Sequence, residues 1–132
     1  MNWNGNVNMQ LISAEQQRYP TVGDWWIDEA GCLQVRATLL SNVMDSHLVM
    51  AHEYVEAMLC IHYGVTVEAV DKFDMEWKND GVYAEPGDDP TAPYHEQHDI
   101  ALIVERMLAH ACGVDWTKHD NAIEASFKAM NK

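Results

Sequence analysis

The chain has 132 residues, 48% of them hydrophobic, and a formal net charge of −13. That length and apolar content predict one domain, residues 1–132, able to bury a core without a disulfide or metal staple. Acidity of this size, with no basic stripe to neutralise phosphates, excludes a sequence-independent nucleic-acid binder, and no apolar run reaches the length of a membrane span.

The N-terminal stretch MNWNGNVNMQLISAEQQR has neither the basic start nor the apolar block of a signal peptide. Cys32, Cys60 and Cys112 are an odd number at no ligand spacing, and Cys60 and Cys112 sit in apolar helical contexts. They read as buried free thiols, which predicts a reducing cytoplasm. VNMQLIS alternates and predicts a short strand. DWWID and CLQVRATLL, separated by Glu29-Ala30-Gly31, predict a hairpin that turns at Gly31.

The period then changes. DSHLVMAHEYVEAMLCIHYG carries apolar residues at helical spacing, with Asp45 or Ser46 as N-cap and Gly64 as stop. TVEAVDKFDMEWKN predicts a second helix capped by Thr66. Residues 79–93, NDGVYAEPGDDPTAP, hold three of the four prolines. Within them Pro86-Gly87 fits a type II turn, and a loop this long in a small domain points to function. YHEQHDIALIVERMLAHACG predicts a third helix ending at Gly113, and WTKHDNAIEASFKAM a fourth. Strands followed by helices predict an α+β fold: a small N-terminal antiparallel sheet, then three to four helices on one face.

Chemistry concentrates on two of these helices. His52 and Glu56 are four residues apart and stack on one helical face, with Glu53 about 100° round the axis. His95 and His98 are three apart on the helix after the loop, and Glu105 lies two turns beyond His98. Two ligands from one helix and a third from a later one is how an HExxH protein builds a zinc site. Zinc accepts a carboxylate oxygen at much the same distance as an imidazole nitrogen, so Glu56 is tolerable as a ligand, and a His, Glu, His set leaves a fourth position open. The same composition suits manganese or iron. Glu53 is then the candidate general base.

The plainer reading is an amphipathic helix with glutamates on its solvent face. Against it, the candidates share a side with Leu48, Val55 and Leu59, where unpaired charge is costly. His47, His62, His110 and His119 have no comparable company and read as surface or internally satisfied residues.

The order strand, hairpin, AHEYVEAML, Pro-Gly-Asp loop and APYHEQHDIA resembles the small zincin-like proteins of phages and prophages, which carry HExxE in place of HExxH. The likeness covers about residues 10–118 and rests on HEYVEA, EPGD and PYHEQH. It implies a minimal zincin-like fold that holds one divalent ion, zinc with manganese or iron as alternatives. His52 and Glu56 are the implied ligands, His98 the third with His95 the other candidate, and Glu53 the base. It also implies a protein or peptide substrate or a host-protein partner, and the host cytoplasm if the chain is phage-encoded.

Two further classes stand beside it. His98-Asp99 with His52 upstream is the kernel of an HD-type phosphohydrolase, for which Asp115 or Asp120 supplies the later aspartate, although the N-terminal strands argue against that all-helical fold. A non-enzymatic acidic protein that imitates nucleic acid and inhibits a basic host protein is the other.

Overall fold

The computed structural model describes residues 2–131. Three strands come first, β1 (Val7–Ile12), β2 (Gly23–Ile27) and β3 (Leu33–Thr38). Four helices follow, α1 (Val43–Tyr63), α2 (Val67–Glu76), α3 (His95–Ala111) and α4 (Trp116–Met130). The architecture is α+β.

The sheet order is β1-β3-β2. β2 and β3 form the expected antiparallel hairpin, whose turn has Gly31 at φ 89° and the Asp28 carboxylate accepting from the N–H groups of Ala30 and Cys32 at 3.0 and 2.9 Å. β1 departs from the expected antiparallel sheet. It lies on the other edge of β3 and runs parallel to it, with Val7 opposite Leu33 and Ile12 opposite Thr38. The chain reverses once between β1 and β2 and again at the hairpin, so β3 arrives in the direction of β1. The mixed sheet follows from that double reversal.

β3 is therefore the central strand, and its inward residues Leu33, Val35 and Ala37 are fully buried. With Trp25 of β2 they pack under α1, which lies against both β2 and β3 on one side and against α3 on the other. Buried positions on α1 recur every three or four residues, through Leu48, Val49, His52, Glu56, Ala57 and Cys60. The helix begins one turn earlier than expected, because Asn42 accepts from the N–H of Met44 at 2.9 Å. Asp45 and Ser46 are inside the helix and buried. The Ser46 hydroxyl instead accepts from the Leu40 N–H at 2.7 Å. Gly64 ends α1 in the left-handed region, as its position predicts.

Thr66 caps α2 through the Ala69 N–H at 3.1 Å, but the helix stops at Glu76, short of Asn79. Residues 77–94 then run as a long connection whose centre, Pro86–Asp88, is one 3-10 turn closed by Asp88 N–H on Glu85 O at 3.1 Å. No type II turn forms, and Gly87 is not among the glycines of positive φ. Cys60 is buried, but Cys112 caps the C-terminus of α3 and is exposed, which corrects the expectation for that thiol. No helix among the described residues is long and apolar enough to cross a membrane.

Placing β3 at the centre makes a direct prediction. Leu33→Ala lowers stability by about 2–5 kcal/mol, whereas Met9→Ala on the half-exposed edge strand changes it by no more than about 0.5 kcal/mol. Equal losses in chemical denaturation would contradict the strand order.

Candidate metal centre

The site is assembled where α1 crosses beneath β2 and beside α3. β2 presents alternate residues to α1, and the contacts pair off in register. Gly23 lies against Glu53, and the Trp25 indole N–H donates to Glu56 Oε1 at 3.3 Å. A Cβ at position 23 would stand 2.5 Å from Glu53 Cγ, so the close approach depends on glycine. Gly87 does the same from the loop side, where a Cβ would stand 2.5 Å from His98 Cγ and Nδ1. That contact with the imidazole explains why Pro86-Gly87 serves as a packing surface and not as a reverse turn.

Three ligand-type atoms converge in the buried space between the helices. His52 Nε2 lies 3.3 Å from Glu56 Oε2 and 3.2 Å from His98 Nδ1, and His98 Nδ1 lies 3.2 Å from Glu56 Oε2. All three residues are buried, and they form a set able to hold a metal ion. Zinc–ligand bonds of about 2.0–2.1 Å in tetrahedral geometry imply ligand separations of about 3.3 Å. The triangle already has that size.

What faces outward is as well defined. His52 Nδ1–H donates to Glu105 Oε1 at 2.8 Å, and His98 Nε2–H donates to Asp88 Oδ1 at 3.0 Å. The outer oxygen of Glu56 is held by Trp25. Each member of the triangle is thus oriented by a partner on its far side, the arrangement that fixes tautomers in metal sites. With those donors committed, neutral imidazoles direct two nitrogen lone pairs and a carboxylate oxygen at one point. Only positive charge, as protons or as a cation, relieves that.

Behind Glu105 the network continues into α4. His119 is fully buried and donates from Nε2 to Glu105 Oε2 at 2.5 Å and from Nδ1 to Asp45 Oδ1 at 2.7 Å. It is internally satisfied, as expected, yet it stands in line with the site: Asp45, His119, Glu105, His52. Sequence reading gave His119 no such company, because its partners come from α1 and α3. His47, His62 and His110 are exposed.

The candidates therefore divide. His52, Glu56 and His98 come together and Glu53 stands beside them, its Oε2 3.8 Å from His52 Nε2. His95 does not join. Its Nδ1 contacts the Gly87 carbonyl at 2.9 Å and its Nε2 the Asp99 carboxylate at 3.2 Å, so it ties the first turn of α3 to the loop. Trp25, Asp88, His119 and Asp45 are the functional neighbours that the motif did not reveal. Only Glu105, two turns from His98, carried a spacing signal.

Charge balance follows from these contacts. Burial alone raises a carboxyl pKa, but hydrogen bonds from His52 and His98 hold Glu56 down to about 2. Burial depresses an imidazole, yet Asp88 and Glu56 together raise His98 to about 10, and Glu105 and Glu56 raise His52 well above its ordinary value. Glu53 goes the other way from Glu56: burial and the neighbouring Glu56 charge push it well above the carboxylate range.

In metal-free protein these shifts set a pH dependence. The folded pKa of His98, about 10, exceeds its unfolded value of about 6.5, so its stabilisation is complete below the lower value and is lost as pH rises through the higher. Melting temperature in chelator falls between pH 7 and pH 10, and the fall is smaller in His98→Gln. A flat profile in the wild type would show that His98 is not held as an imidazolium.

No family model, no curated protein and no solved structure matches this chain, so what the centre does rests on its own atoms.

Proposed function

We propose that this chain is a small zincin-like, metal-dependent hydrolase in which His52, Glu56 and His98 hold one divalent cation, zinc first and manganese or iron as alternatives. One observation carries the reading. Three inner atoms lie 3.2–3.3 Å apart while Glu105, Asp88 and Trp25 hold their outer sides. A cation bound there supplies Lewis acidity, which acidifies water and polarises a carbonyl.

The protein's own groups supply the rest. Glu53 has no hydrogen-bond partner among the described residues and stands beside the triangle. Its position beside the triangle suits a group that takes a proton from water and returns it to a leaving group. Burial of the triangle excludes bulk water and strengthens these electrostatics. The centre opens into a cleft of about 600 Å³ lined by Tyr19–Gly23, by the end of α2 and by one face of α4. β2 is an edge strand of the sheet, and an edge strand offers main-chain groups to an extended chain, which favours a peptide substrate.

The HD-type alternative draws less support. Asp99, the aspartate of its motif, has a half-exposed side chain and pairs with His95 outside the triangle. Asp115 is occupied as the N-cap of α4, accepting from the Lys118 N–H.

Protein purified without an affinity tag and analysed for metals contains one ion per chain, and zinc raises the melting temperature clearly at pH 7.5 and hardly at pH 5, where protons compete for the imidazoles. His52→Ala loses the ion. Glu53→Gln keeps the ion and loses peptide hydrolysis by a factor of at least about 10². No metal at either pH, or unimpaired hydrolysis in Glu53→Gln, would overturn the assignment.

The two glycines separate the same roles. Gly87→Ala displaces an imidazole and lowers zinc affinity about 10–100-fold, as disturbance of an oriented ligand does. Gly23→Ala meets the flexible Glu53 side chain, leaving zinc binding intact and lowering turnover. Chelator competition and peptide assays on the two variants check this, and the reverse pattern would exchange the roles of Glu53 and His98.

A further inference from the structure

If the metal site is as proposed, the cleft beside it selects the substrate. α4 turns one face into it. Trp116, Asp120, Ile123 and Phe127, spaced by four, three and four residues, all line the cleft, together with Leu102 of α3 and Val49 of α1. A helix face of this kind is normally apolar throughout. Here Asp120 interrupts it, with Lys128 lining the cleft two turns further on, and Asp120 makes no ion pair or side-chain hydrogen bond among the described residues.

We propose that this face is a specificity pocket for a lysine or arginine side chain of a peptide, with Asp120 receiving its charge. A long cationic side chain has an apolar stem and a charged head. Trp116, Ile123 and Phe127 offer the stem a surface, and Asp120 offers the head a charge-assisted hydrogen bond. One face of the Trp116 indole is already taken by the chain's own Arg106 guanidinium, 4.9 Å from the ring centroid, so the stem rests chiefly on Ile123 and Phe127.

The surrounding charge points the same way. Glu85 also lines the cleft, and of its two lysines, Lys78 and Lys128, the second is engaged by Glu124 at 3.1 Å. Asp120 stands at the exposed rim of the cleft, where limited desolvation and then the charges of Glu124, Glu105 and Asp88 raise its pKa. The same charges disfavour phosphorylated and acidic substrates.

The test uses zinc-loaded full-length protein and three metal-chelating probes, the N-acetyl hydroxamates of lysine, norleucine and glutamate, with binding measured by calorimetry. The lysine probe binds about tenfold or more tightly than the norleucine probe, and the glutamate probe binds weakest. Asp120→Asn removes the lysine advantage, and Asp120→Lys reverses the order in favour of glutamate. Zinc binding with equal affinity for all three probes, or a lysine advantage that survives in both variants, overturns the pocket and leaves the metal centre standing. Failure of the wild type to bind zinc overturns the metal centre and the pocket with it.

Discussion

Two imidazole nitrogens and a carboxylate oxygen, mutually 3.2–3.3 Å apart and buried, are the constraint around which the molecule is arranged. Such a grouping repels itself unless something positive sits in it. The fold accepts the cost because every outer contact of the three residues is satisfied by a different element. β2 supplies Trp25, the long loop supplies Asp88, and α3 supplies Glu105. A centre held from three sides cannot collapse into simple ion pairs without disturbing the sheet, the loop or the helix pair.

The same contacts make α1 a helix with two duties. Ala57 and Cys60 pack into the hydrophobic core under β3, while His52 and Glu56 on neighbouring positions point into the polar centre. The carboxylate Glu105 joins them to His119 and Asp45, so the C-terminal helix is fastened by a buried ionic chain as well as by apolar residues such as Ile123. Isolated buried charges are destabilising, and this chain is tolerable because acceptors and donors alternate along it: the Asp45 carboxylate, the His119 ring, the Glu105 carboxylate and the His52 ring.

What could be read in advance was what local periodicity controls. The spacing of His52, Glu53 and Glu56 on one helix, the Thr66 cap, the turn at Gly31 and the succession of strands and helices all depend on residues within a few positions of one another. Choices made by tertiary contact were not legible. His95 and His98 share the first turn of α3, and only the packing of that helix on α1 decides that His98 faces Glu56 while His95 faces the Gly87 carbonyl. His119 and Asp45 are 74 residues apart and carry no common pattern. Pro86-Gly87 has the chemistry of a reverse turn, yet the approach of His98 puts that glycine to another use. The parallel pairing of β1 with β3 likewise follows from chain reversals that no strand encodes alone.

The connection between α2 and α3 bears on time as well as on affinity. Asp88 holds His98 from outside, and two residues earlier in the same turn Pro86 begins the segment whose Gly87 carbonyl is held by His95. The segment is thereby pinned at two points to the first turn of the helix it precedes. An ion held in the centre would be enclosed on that side by a segment fastened through two hydrogen bonds, so this connection bears on the residence time of such an ion as well as on its affinity.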